Sequence, residues 1–224
     1  MPHHEEQTLK AADGHTLGAF VARPDGRAKG GVVILQEIFG VNAHTQHDVD
    51  FFASHGYVAI APAMFDRIER NAILDYSEME RGLKIANAID EAGLLADLQA
   101  AIDAVKTAGP VAVVGFCWGG ALAYLAAAKC TGVARAVAYY GTRIKVYCET
   151  MQPKVPMMYH FGALDKSVPP EAIDKIRAAD PHGVFHVYEG ADHAFTNDDR
   201  PLYSAAAAEL AHERTLAFLD QRNS

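Results

Sequence analysis

Residues 111–129 read VAVVGFCWGGALAYLAAAK. An apolar, β-favouring run meets a cysteine flanked by glycines, and an alanine-rich helical pattern begins directly after it. Continuous apolar runs of this length suit strands covered on both faces of a sheet. The chain must turn from strand to helix at Cys117, and Gly115 and Gly119 stand where side chains would clash in so tight a turn. The pattern G-x-C-x-G between strand and helix is a nucleophile elbow with cysteine in the attacking position. It lifts the thiol above the strand end and aims a helix N-terminus at it, which favours the thiolate. The competing reading is a free cysteine packed as a small hydrophobe. Strand, glycines and helix together favour the elbow. Cys130 and Cys148 lack this setting and are read as packing residues.

Five further β-rich runs share the chain: GGVVILQE ending at Glu37, YVAIAP at Pro62, ARAVAYYG at Gly141, VPMMYHFG at Gly162 and VFHVYEG at Gly190. A weaker alternating run, Leu17 to Ala22, predicts an antiparallel edge strand. Helical patterns lie between them: HDVDFFASHG, two helices within Ser77–Thr107 broken near Gly93, GGALAYLAAAKC, PPEAIDKIRAA with Pro170 in its first turn, and a last helix from about Tyr203 to Asp220. Alternating strands and helices predict an α/β fold with a doubly wound, mostly parallel sheet and helices on both faces. Residues 1–224 are expected to form a single domain, with residues 63–76 an excursion between a strand and the next helix.

The net charge of −8 gives no basic footprint for nucleic acid or an anionic membrane. Three cysteines without metal-ligand spacing predict neither a disulfide framework nor a metal site. MPHHEEQTLK lacks the pattern of a signal peptide, and no apolar run reaches membrane-spanning length. The expectation is a cytoplasmic protein with reduced thiols.

A thiol nucleophile needs a base and a group that orients the base. On α/β-hydrolase topology the order along the chain is nucleophile, acid, histidine. Asp165 in FGALDKSVP and His193 in EGADHAF follow the fifth and sixth runs in that order, each after a glycine that marks a sharp exit. Asp192 adjoins His193, but sequence neighbours point apart, so Asp165 is the better partner. His160, His182 and His186 lie within or beside strands and are read as structural or solvated. His44, His47 and Asp48 have helical spacing that could suggest a metal, and surface histidines are the preferred reading.

These pieces, with DGHTLGAFVARP, QEIFGVN and the closing AAAAELAHERTLAFL, resemble the dienelactone hydrolase (carboxymethylenebutenolidase) family of the α/β-hydrolase superfamily over nearly the whole chain. The resemblance implies a Cys117–His193–Asp165 triad that hydrolyses small esters or lactones through an acyl-enzyme without a cofactor. It implies that Glu37 faces the thiol and controls its ionisation, and that the backbone N–H groups of Ile38 and Trp118 form the oxyanion hole. It also implies a carboxylate-binding site. Arg81 is the nearest candidate for one arginine, with Arg67 and Arg70 as alternatives. Asn197 stands where the family places the other, so the ester class is better supported than dienelactone itself. No nucleic acid, membrane or metal partner is expected, and the oligomeric state is left open. A thioester or peptide hydrolase and a non-catalytic binding protein on the same scaffold are the alternatives.

Overall fold

The computed structural model describes residues 3–221. Eight strands join one sheet: β1 (His3–Lys10), β2 (Thr16–Arg23), β3 (Gly30–Leu35), β4 (Tyr57–Pro62), β5 (Val111–Phe116), β6 (Val133–Tyr139), β7 (Met157–Gly162) and β8 (Val184–Tyr188). Their order across the sheet is β1-β2-β4-β3-β5-β6-β7-β8. β2 pairs antiparallel with β1 and β4, and the pairs from β4 across to β8 are parallel. This is the α/β-hydrolase arrangement.

The strand period of two divides the core. Val33, Leu35, Val111 and Val113 point into one apolar layer, while Val32, Ile34, Ala112 and Val114 point into the other. The first layer is closed by α3 (Glu91–Val105), α4 (Trp118–Lys129) and α6 (Pro170–Ala179), through residues such as Leu98, Leu122 and Ile176. The second is closed by α1 (Ala43–Ser54) and α7 (Ala205–Leu219), through Phe52, Ala211 and Phe218. α4 lies against both β5 and β6 and is buried on almost every side, so its sequence carries no polar stripe.

Three expectations are corrected. The Leu17–Ala22 run is antiparallel but is not the edge, because β1 pairs outside it. β1 reads HHEEQTLK, and only Leu9 is buried, so it carries almost no apolar pattern. Backbone pairing and the Arg23–Glu5 ion pair hold it to β2. The first long run leaves the sheet at Leu35, two residues before Glu37. The break inside Ser77–Thr107 falls at Ile89 and Asp90, between α2 (Met79–Ala88) and α3. Ile89 is extended, and the Asp90 side chain caps α3 by accepting the Gly93 N–H at 2.7 Å. Gly93 lies in the first turn of α3, where a Cβ would come 2.7 Å from the Arg67 side chain, so close packing explains this glycine.

Residues 63–76 form a 3₁₀ turn (Met64–Arg67) and a returning strap. The strap is pinned where the Leu74 N–H donates to the Phe39 carbonyl at 2.9 Å. The short α5 (Ile144–Tyr147) follows β6 and gave no sequence signal of its own. Among the described residues no helix is long and apolar enough to cross a membrane.

Candidate active site

The elbow is set by contacts that leave no room for side chains. Cys117 has φ 55° and ψ −115°, in the left-handed half of the map that L residues avoid. A Cβ on Gly115 would sit 1.9 Å from the Gly119 carbonyl oxygen, and one on Gly119 would sit 2.1 Å from that of Leu35. The Cys117 N–H donates to the Tyr139 carbonyl at 3.0 Å, and the Gly119 N–H donates to the Gln36 carbonyl at 3.1 Å. The elbow is thus tied on one side to β6 and on the other to the end of β3. Cys117 is partly exposed. Burial pushes the Cys130 thiol up to about 11 and raises that of Cys148 as well, which suits packing residues.

Asp165 and His193 come from loops that adjoin for a stated reason. A Cβ on Gly162, the last residue of β7, would lie 2.5 Å from the Ala191 carbonyl oxygen. Its absence lets the loop after β8 lie on the loop after β7. The Ala163 and Leu164 N–H groups donate to the Tyr188 and Ala191 carbonyls. Asp165 Oδ2 then lies 2.8 Å from His193 Nδ1, and Asp165 Oδ1 accepts the Ser167 N–H at 2.7 Å. Burial opposes the Asp165 charge, but the His193 and Ser167 hydrogen bonds outweigh it and hold the carboxyl below its ordinary range. Asp192 Oδ1 instead accepts the backbone N–H of His193 at 2.7 Å.

His193 is raised to about 10. Burial works against the charged ring, but the Cys117 charge, with hydrogen bonds to Asp165 and Cys117, overcomes it. With Nδ1 given to Asp165, Nε2 is the nitrogen left for the sulfur. Tyr140, fully buried and itself at φ 40°, sets its ring edge-on against the imidazole at 5.1 Å. Sequence reasoning missed this contact, although the YYG step ahead of α5 marks the spot.

Glu37 and Ile38 follow the end of β3, beside the elbow. Ile38 is held from outside by α2, whose Gly82 would place a Cβ 2.0 Å from the Ile38 carbonyl oxygen. Trp118 is the first residue of α4, so its N–H is among those that the helix leaves without an intrahelical acceptor. Its ring is buried against Phe65. Glu37 is 5% exposed, and its Oε2 accepts from Asn197 Nδ2 at 2.9 Å. Its Oε1 is buried without a hydrogen-bond partner.

The residues expected at a substrate carboxylate are placed otherwise. Asn197 is fully buried and faces Glu37. Arg81 is on the surface, paired with Glu69 and Glu78. Arg67 is forked onto the buried Asp97 at 2.7 and 2.8 Å, and Arg70 donates to the Thr16 carbonyl. Arg200 lies over the Phe39 and Tyr76 rings, at 5.7 and 5.6 Å from their centroids. Ion pairs engage Arg81 at the surface, and burial against Glu37 engages Asn197. His44 is also buried, contrary to the surface reading. It bonds Asp198 at 3.2 Å, and His47 beside it is exposed.

Comparison with known proteins converges on one group. The model of the dienelactone hydrolase family matches residues 17–223. A carboxymethylenebutenolidase from Pseudomonas putida is 37% identical over 223 residues, covering 95% of this chain and 94% of the relative. One from Pseudomonas knackmussii gives the same figures. A crystal structure from Klebsiella pneumoniae, of a protein assigned as a dienelactone hydrolase, superposes with a TM-score of 0.86 at 29% identity. It covers 99% of this chain and 100% of that one. An esterase from Pyrococcus furiosus shares the fold at 15% identity, with a TM-score of 0.71 over 97% of this chain and 92% of that one. The elbow, the sheet order and a family match over nearly the full length lead to one conclusion: this chain belongs to the dienelactone hydrolase family and is a hydrolase of the ester and lactone class.

Proposed function

We propose that the protein hydrolyses small esters or lactones through a Cys117 thiolate and a thioester intermediate. The observation that carries this reading is the cysteine held at positive φ on the elbow, next to an imidazole whose far nitrogen is 2.8 Å from a buried carboxylate. The raised His193, bonded to both the sulfur and Asp165, supports a ring that takes and holds the thiol proton when the thiolate forms.

The thiolate attacks the substrate carbonyl, and the C–S bond forms as the carbonyl electron pair moves to oxygen. The Ile38 and Trp118 N–H groups are the proposed donors to that oxyanion. As the C–O bond breaks, His193 gives its Nε2 proton to the departing alkoxide, and a thioester with a neutral imidazole remains. His193 then takes a proton from water, the hydroxide attacks the thioester, and the acid leaves as the thiolate returns. Asp165 keeps the proton on Nδ1 throughout and steadies each imidazolium. Glu37 is the proposed control on the thiol, since a buried anion nearby opposes thiolate formation. No step calls for a metal or cofactor.

The test is to mix the enzyme with an activated ester and record the intact mass within one turnover. A covalent adduct equal to the acyl group, absent in Cys117→Ala, is the expected result. Undiminished ester turnover by the alanine variant would remove Cys117 from the mechanism.

A further inference from the structure

Glu37 is a buried carboxylate with an uncharged partner. Its Oε2 accepts from the Asn197 amide, and its Oε1 has no hydrogen-bond partner. The amide's orientation is fixed independently. Asn197 Oδ1 accepts the Asp199 backbone N–H at 3.1 Å, so the NH₂ end must face Glu37. The second amide hydrogen goes to the Tyr76 hydroxyl at 3.1 Å. Tyr76 is held in turn. Its ring meets Phe39 edge-on at 4.9 Å, the Asn42 amide donates to its hydroxyl at 3.4 Å, and Arg200 lies over its outer face. It opens the 3₁₀ turn Tyr76–Glu78, which Asp75 and Glu78 cap reciprocally.

We propose that Asn197 and Tyr76 are positioning residues that fix the Glu37 carboxylate beside the elbow as an uncharged, two-loop clamp. This rests on the reading of Glu37 as the control on Cys117. Neither clamp residue is charged in the neutral range, so Glu37 is held by hydrogen bonding and not by an ion pair. The ionisable groups that feel the Glu37 charge are Tyr76 from the strap, Asp48 from α1 and Tyr140 after β6, and Tyr140 feels the Cys117 charge as well. Asp199 and Arg200 bear on Tyr76 from outside.

The experiment is the rate of Cys117 alkylation by iodoacetamide against pH, in the full chain, for wild type, Glu37→Gln, Asn197→Ala, Tyr76→Phe and the double variant Asn197→Ala/Glu37→Gln. Without its donor the Glu37 carboxylate loses its fixed position beside the elbow, its field at the thiol weakens, and the alkylation profile moves to lower pH. Asn197→Ala should therefore move the alkylation midpoint down by about one pH unit or more. Glu37→Gln should move it the same way, and the double variant no further than Glu37→Gln alone. Tyr76→Phe keeps the ring on Phe39 and should give a smaller shift of the same sign. If Asn197→Ala does not fold, Tyr76→Phe with and without Glu37→Gln carries the test.

Profiles of Asn197→Ala and Tyr76→Phe that overlay wild type, while Glu37→Gln shifts, would overturn the clamp and leave Glu37's own role standing. A shift that adds fully to that of Glu37→Gln would also overturn it, since the clamp would not be acting through Glu37. So would a shift that vanishes in an Asp48→Asn background, because burial lifts Asp48 to about 7, in the same pH window. An unchanged Glu37→Gln profile would instead defeat the reading of Glu37 beneath it.

Discussion

Asp165 Oδ2 and His193 Nδ1 lie 2.8 Å apart, the carboxylate side chain fully buried and the imidazole 16% exposed. Asp192, one residue from the same histidine, is turned to the backbone N–H instead. The two aspartates should therefore separate cleanly. Asp165→Asn is expected to lower kcat by about a hundredfold or more, somewhat less than the roughly 10⁴-fold loss seen when a serine-protease triad loses its aspartate. Asp192→Asn should cost about threefold or less, because a turn contact and no ring contact is removed. Steady-state turnover of an activated ester reads both. The reverse ranking would mean that the orienting acid has been misassigned.

The titration of His193 offers a second check. Its value of about 10 lies above the ordinary 6.5, so the ring stays protonated through neutral pH and loses its proton only as pH climbs through about 10. Any stability it adds to the fold is complete below 6.5 and fades towards 10. The Cys117 charge is the largest influence raising it. Cys117→Ala should bring the imidazole titration, followed by NMR on labelled histidine, down towards its ordinary value. A ring that titrates identically in both proteins would show that the sulfur does not hold the proton there.

Gly115 and Gly190 make a matched contrast. A Cβ at 115 meets the Gly119 carbonyl oxygen at 1.9 Å, while one at 190 meets nothing within 4 Å although φ is +73°. Gly190→Ala is expected to cost about 1–2 kcal/mol from backbone strain alone. Gly115→Ala should cost about 3 kcal/mol or more, or fail to fold, because backbone must move. Urea midpoints measure the difference.

For substrate charge, Arg81 is the informative position. It is engaged by Glu69 and Glu78 at the surface, so Arg81→Ala should change kcat/KM by less than about twofold, for a lactone with a carboxylate and for its neutral analogue alike. A large loss confined to the carboxylate-bearing lactone would show that Arg81 leaves its glutamates to meet substrate.

How far the sequence carried depends on the range of each contact. β4 and β5 begin and end where their apolar runs do, because both are buried on both faces. The sites of Asp165 and His193 were legible because each loop follows a strand with a glycine at or near its end. β1 was not, since an edge strand held by backbone pairing needs no apolar pattern. Nor was the partnership of Glu37, Asn197 and Tyr76. It joins residues 121 and 160 positions apart through single hydrogen bonds. No local periodicity records such a contact. An uncharged amide at position 197 gives no sign in the sequence that it is buried against a carboxylate.

The raised thiols of Cys130 and Cys148 have a practical consequence. With both thiols pushed upward and only Cys117 set on a turn beside a cationic ring, a mild electrophile at neutral pH should modify one sulfur per chain. The stoichiometry of labelling then counts competent sites directly, so the fraction of active protein in any preparation can be measured without knowing the substrate.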